Sequence, residues 1–524
     1  MIIVFYISLF LYIFTLAISA NIVDFDFWAR LAVGKTFFQT GSLLNFDFQS
    51  FGPTRQWFDH EWGASLIFYS ILDNFGEVGL IVFKSILIFI TYFIITRIIL
   101  FRRKHKNPDA IQNPITTAPF NILFFIFLIQ ATLDVVFATI RCQNLSFIFF
   151  MIWFYALEKS RLENNYKILW LLPVSMIIWS NIHGGCFTGL GLLALYTIGE
   201  FLNKKPYKPY IITGLLSVAA MFINPYGIKY VYFLFYAITL KRPAITEWVS
   251  IFHEIHMFSF FKYKLWAFAI AIITGFYLTK KYNKANGDDF KNKIISLYNS
   301  LDKTKALILV IMFLLSLKTL RIMPFFAFSA AVFLYDDVYK IFNKKLPNKI
   351  NNLKEILLCI LLLLSFTYTI KTNKIETSVS SYPYSEVEFL KINNLKGNLF
   401  ANFHYGSFLA YKLYPNNFIF MDGRYEETYE PKLLEKMRAI YTGKNWKEEF
   451  YKQHIDYIIL EKTFGTFFTA LLNDGWKPVM SSRNFVLLIR KDIELKNPKI
   501  PSSDFKYYQK HKWDTNINWG MNEK

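Results

Sequence analysis

Asp24 and Asp26 stand two residues apart among Phe25, Phe27 and Trp28. In an extended segment both carboxylates point to one side. Such a pair either holds a divalent metal, Mg or Mn, beside a phosphate, or takes a proton from an attacking hydroxyl. Partial burial among the rings would raise a carboxyl pKa and make it a better base. The plainer reading is two solvated acids. Downstream lies Trp57-Phe58-Asp59-His60-Glu61-Trp62. Its tryptophans suit a membrane interface, and His60 and Glu61 suit contact with a phosphate or sugar. On a helix these two neighbours would diverge by about 100° and could not share one ion.

Arg141 and Arg321 follow apolar runs. Arginines there either snorkel to headgroups or clasp a phosphate through the planar guanidinium fork. His183, in Asn181-Ile182-His183-Gly184-Gly185, either donates to a substrate or sits in a tight turn that the glycines permit. Glu247 precedes Trp248 and is followed by His253, Glu254 and His256. Asp422 and Arg424 flank Gly423 after the apolar run 418–421. They either line a site at a strand's carboxyl end, where α/β sheets bind ligands, or form a local ion pair, which the spacing favours.

The elements that must position these residues are mostly membrane helices. Of 524 residues 54% are hydrophobic and only 18% are charged, against about 25% charged in soluble proteins. The apolar residues form runs, several near the 20 residues needed to cross a hydrocarbon core of about 30 Å. Candidate spans are 1–20, 77–101, 119–138, 143–157, 168–182, 186–202, 209–223, 263–279, 304–320, 324–341 and 355–371. The fold class is therefore mainly α: a polytopic helical membrane bundle of about eleven spans, with a small C-terminal α/β domain.

With the N-terminus cytoplasmic, alternation gathers 102–106, 159–167, 203–208, 280–305 and 340–354 on one side. All five are rich in Lys and Arg, as cytoplasmic loops are. The net charge of +20 is thus spread over separate loops, and nucleic acid is excluded as a partner. The polar motifs fall on the other, outer face. The chain divides into a transmembrane domain at 1–371 with a first outer loop at 21–63, an extracytoplasmic α/β domain at 372–497, and an arm at 498–524. In the α/β domain, runs 398–401, 418–421, 456–460 and 485–489 read as strands, and 431–441 and 446–453 as amphipathic helices. GxxxxGK, GxGxxG and GxSxG are all absent, which removes support for nucleotide cradles and hydrolase elbows.

In the order of these segments the chain resembles the GT-C superfamily of polytopic membrane glycosyltransferases, and more closely a little-characterised bacterial membrane-protein group within it. The matching segments are Asp26-Phe27-Trp28, His60-Glu61-Trp62, Asn181-Ile182-His183-Gly184, Asn224-Pro225-Tyr226-Gly227, Glu247-Trp248 and Asp422-Gly423-Arg424, spread over about 21–490. Asp24-Phe25-Asp26 occupies the place of the acidic motif in the first extracytoplasmic loop. The resemblance implies a location in the bacterial inner membrane and a polyprenyl-phosphate-linked sugar as donor. The acceptor it implies is a glycan, lipid or protein of the envelope. It also implies inverting transfer, with Asp24 or Asp26 as catalytic base or metal ligand. Donor-phosphate or substrate binding would fall to His60, Glu61, Arg141, His183, Glu247, Arg321, Asp422 and Arg424. The rival readings are a non-enzymatic glycolipid transporter or flippase, and an envelope assembly scaffold.

Overall fold

The computed structural model describes residues 2–19, 25–43, 46–106, 122–137, 139–239, 246–256, 259–286, 289–342, 348–372, 382–424 and 428–501. The chain is mainly helical, with one five-stranded sheet near its C-terminus. It divides into two compact units. One comprises Met1–Ile22, Val78–Val231 and Lys241–Ile375, and the other Val23–Glu77, Tyr232–Leu240 and Glu376–Lys524.

The first unit is a helical bundle. Among the described residues, four helices are long and apolar enough to cross a membrane: Ile2–Ser19, Trp62–Lys106, Phe261–Asn283 and Leu320–Tyr339. Shorter apolar helices include Ile122–Val136, Cys186–Leu202 and Lys208–Ala220. Trp62–Lys106 is broken at Gly76, whose φ of 63° lies in the left-handed region that favours glycine. Large apolar side chains such as Leu215, Phe268, Phe276 and Leu361 stand exposed on these helices, the surface a lipid solvent accepts and water does not. Inside, Ser85, Thr91 and Thr132 donate back to Ile81, Leu87 and Leu128 carbonyls of their own helices, so their hydroxyls are satisfied within an apolar core.

Arginines of the basic segments enter ion pairs. Arg102 is buried and paired with Glu158. Arg161 reaches Glu158 and Glu200 at 3.2 Å each and Asp302 at 2.7 Å. The Tyr196 hydroxyl donates to Glu158 at 2.7 Å, and the Thr304 hydroxyl to Glu200 at 2.7 Å. One network therefore ties together helices Trp62–Lys106, Cys142–Glu163, Cys186–Leu202 and Lys303–Lys318.

The second unit is built on a mixed sheet in the order β2-β1-β3-β5-β4, with β1 Gly397–Ala401, β2 Asn417–Ile419, β3 Ile455–Glu461, β4 Lys477–Ser481 and β5 Phe485–Ile489. β2, β1 and β3 run parallel, whereas β5 is antiparallel to both β3 and β4. Phe400, Phe420, Ile458 and Leu488 pack with Tyr441, Trp446, Phe450 and Phe467 from helices Pro431–Tyr441, Trp446–Lys452 and Gly465–Asn473. This is the amphipathic pattern expected for those segments.

The first outer loop departs from its expected form. Phe25–Thr40 is a helix with Phe27 through Gly34 buried, and it packs on helix Phe403–Leu413, the Trp28 and Phe408 rings lying 5.0 Å apart. Asp26 is thus in a helical first turn and not in an extended segment. Farther along, the chain lies beside β2: the Phe51 amide donates to the Ile419 carbonyl and the Ile419 amide to the Gln49 carbonyl, both at 3.0 Å. Gly52 is required there, because a Cβ would strike the Phe420 carbonyl. The strand edge that would otherwise invite aggregation is covered from within. Asp24, and residues 502–524 of the expected arm, lie outside the described residues.

Candidate functional site

In the helical unit the structure gathers Arg141, Glu247 and Arg321, although 106 residues separate the first two. Arg141 precedes helix Cys142–Glu163 with extended backbone (φ −140°, ψ 159°), and its amide donates to Asn144 Oδ1 at 3.1 Å. Glu247 lies in the single turn Thr246–Trp248. The Thr319 hydroxyl donates to its carbonyl at 3.0 Å, and this ties the turn to the segment that carries Arg321. The Glu247 carboxylate accepts from Arg141 through one oxygen and from Arg321 Nε at 3.2 Å through the other. The Arg321 guanidinium also lies 4.9 Å over the Trp248 ring, a cation–π contact.

Burial alone would push the Glu247 carboxyl up, but Arg141 and then Arg321 hold it below its ordinary value. It is therefore ionised at neutral pH and shared by two guanidiniums. The three side chains are 27 to 32% exposed, open enough to meet a ligand. A guanidinium pair suits a phosphodiester oxyanion through charge-assisted hydrogen bonds.

His183, in the same unit, is fully engaged on one nitrogen. Trp179 Nε1 donates to Ser146 Oγ at 2.7 Å, Ser146 Oγ lies 2.7 Å from His183 Nδ1, and the Gly185 amide donates to that nitrogen at 3.1 Å. An Nδ1 that accepts carries its proton on Nε2. A Cβ on Gly185 would strike both Ser146 Oγ and the His183 ring. The second glycine of the motif thus serves the turn.

The second unit holds two further clusters. Asp422 accepts from Arg424 Nε at 2.9 and 2.8 Å and from the Arg424 amide at 3.0 Å. Arg424 Nη2 then reaches Asp47 at 2.9 Å, and the guanidinium lies 4.6 Å over the Trp57 ring. Asp422 and Arg424 are buried, so this is a clamp between the first loop and the end of β2, not an open site. Burial pushes the Asp47 carboxyl up, while Arg424 draws it back down. Asp26 adjoins the same turn: a Cβ on Gly423 would lie 3.2 Å from its Oδ1.

In the other cluster Arg30 pairs with buried Asp59 and approaches Glu61 at 3.4 Å. His60 Nε2 is 4.0 Å from Glu61 Oε1. They come this close because His60 and Glu61 lie in the turn before the helix that begins at Trp62. Asp26 and Arg30, four apart on one helix, share a face, and so link the two clusters.

Arg30, Asp47 and Asp59 carry no role in the reading of the sequence. The one available signal was their rarity as charges in apolar surroundings. Among the described residues no three His, Cys, Asp or Glu side chains gather as metal ligands. No protein-family model matches the chain, and neither does any curated protein.

Proposed function

We propose that the protein is a GT-C-type membrane glycosyltransferase that moves a sugar from a polyprenyl phosphate to an envelope acceptor on the outer face of the membrane. The observation that carries this reading is the Arg141–Glu247–Arg321 cluster. Its two accessible guanidiniums suit the negative charge of a sugar phosphodiester. The acceptor hydroxyl attacks the anomeric carbon, and the bond from that carbon to the phosphate oxygen breaks. The electron pair departs with polyprenyl phosphate, which gains a second charge as it leaves, and the hydroxyl proton passes to Asp24 or Asp26. The anomeric centre inverts. Arg141 and Arg321 stabilise charge that grows in the transition state, an electrostatic contribution of the oxyanion type.

In this proposal the shorter helices complete about eleven spans, the Lys/Arg-rich loops face the cytoplasm, and the α/β domain lies outside. One feature supports the arrangement. Helix Cys142–Glu163 has the arginine cluster at its start and the Arg161 network at its end. At 1.5 Å per residue these lie about 30 Å apart, one hydrocarbon thickness.

The test is to incubate purified protein with a panel of polyprenyl-phosphate sugars plus acceptor fractions, and to assay released polyprenyl phosphate. Asp24→Asn and Asp26→Asn, made singly, are expected to leave insertion intact, and the one carrying the base to abolish release. Undiminished release in both variants would overturn the mechanism, and donor translocation without cleavage would favour the transporter.

A further inference from the structure

The strand order sets a switch point in the sheet of the second unit. β2 and β3 lie on opposite sides of β1, and all three run parallel. Right-handed crossovers then send helix Phe403–Leu413 to one face and helices Pro431–Tyr441 and Trp446–Lys452 to the other. The connections part at the carboxyl ends of β1 and β3, the place where open α/β sheets take ligands.

Polar side chains collect there. Asn402 directly follows β1, and its Nδ2 lies 3.3 Å from each carboxylate oxygen of Glu461, the last residue of β3. Tyr405, in the first turn of helix Phe403–Leu413, turns its hydroxyl toward the same carboxylate. Tyr441 ends helix Pro431–Tyr441 and is 8% exposed. Its hydroxyl has no hydrogen-bond partner among the described residues, although Glu461 and Tyr405 both act on it. A buried hydroxyl left so is uncommon. Among the described residues no cation pairs with Glu461. Burial pushes its carboxyl up, and only the neutral groups of Asn402 and then Tyr405 draw it back. Asn402, Tyr405 and Glu461 are partly exposed, so the cluster can be reached from solvent.

Donors and acceptors select the ligand. A phosphate brings acceptors alone and is repelled by Glu461. An ammonium brings donors alone and cannot accept from the Tyr441 hydroxyl. A sugar hydroxyl does both: it donates to the carboxylate and accepts from the phenol. Each carboxylate oxygen has about two lone-pair sites, so beside Asn402 the two oxygens have room for two adjacent hydroxyls. The cluster also adjoins the first loop. The Phe25 ring lies 5.7 Å from that of Tyr405, and Asp26, the next residue, is exposed beside Gly423, just past β2.

We propose that Asn402, Tyr405, Tyr441 and Glu461 form a saccharide subsite that holds adjacent hydroxyls of a sugar ring, and that this sugar belongs to the acceptor. The acceptor role rests on the glycosyltransferase reading; the sugar site does not.

The test exposes the full chain in nanodiscs to an array of oligosaccharides built from the common hexoses and N-acetylhexosamines, and titrates the best binder by calorimetry. Glu461→Gln is expected to weaken binding about 10- to 100-fold, the worth of hydrogen bonds to a charged group. Tyr441→Phe should weaken it about 2- to 10-fold without lowering the unfolding temperature, since no protein hydrogen bond is lost. An analogue lacking one of the two adjacent hydroxyls should bind about ten-fold more weakly. The sugar site is overturned if no saccharide binds, or if Glu461→Gln and Tyr441→Phe bind as tightly as the unaltered protein. Binding by a chain that releases polyprenyl phosphate from no donor upholds the sugar site and sinks the transfer reading. Release that proceeds in Glu461→Gln with an unchanged acceptor KM overturns the acceptor role alone.

Discussion

Two ion clusters of the helical unit use the same chemistry to different ends. Around Arg161, Glu158, Glu200 and two guanidiniums are closed off from solvent while Asp302 stands at the margin, and the Tyr196 and Thr304 hydroxyls donate to the Glu158 and Glu200 oxygens that Arg161 also contacts. Around Glu247, two guanidiniums share one carboxylate and remain about a third exposed. The Arg161 network, with most of its charge buried, holds helices together. The Glu247 cluster is accessible enough to meet a ligand. Burial separates the two where residue type does not.

That contrast fails first, and most severely, if the buried network is dispensable. Glu158→Ala leaves Arg102 and Arg161 without their shared carboxylate, and a buried pair broken on one side typically costs about 3–5 kcal/mol. A large drop in the thermal unfolding temperature in detergent is the expected outcome. Arg321→Ala should barely move that temperature but should weaken donor binding by about 10- to 100-fold, the worth of one charged hydrogen bond at 1.5–3 kcal/mol. Arg321→Lys should recover only part of it, since the planar fork is lost; a binding titration with a polyprenyl-phosphate sugar reads both. Glu247→Gln removes the negative charge that the two arginines share and should tighten the same binding several-fold.

The smallest effect is on pH. Glu247 sits below its ordinary value of 4.5 in the folded chain. Its contribution is therefore fully present above about pH 4.5 and is lost as pH falls through the lower, folded value. Unfolding temperatures measured from pH 7 to 5 should show no change from this group. Any loss from it should begin only in more acidic buffer, and should be absent in Glu247→Gln.

What could be read from the amino-acid order depended on how far apart the partners lay. The runs at 398–401, 418–421, 456–460 and 485–489 overlap β1, β2, β3 and β5, because alternation and turn residues are local signals. β4 escaped notice because it is an edge strand carrying Pro478, a residue that argues against a strand everywhere except an edge. Helix Phe25–Thr40 was hidden in a segment that looked like a loop, since its burial is supplied by residues near 403–413. The Asp422–Arg424 pair was legible from its spacing. Its extension to Asp47 was not, and neither was the Arg141–Glu247 pairing, because both link stretches more than 100 residues apart.

The strap of first-loop residues along β2 has a consequence for biosynthesis. Asp47 and Arg424 are separated by 377 positions. At a translation rate of about 5–20 residues per second, the early segment waits roughly 20 to 75 seconds for its partner. Throughout that interval the early segment has no β2 to dock against, and it must be kept from other partners until β2 emerges.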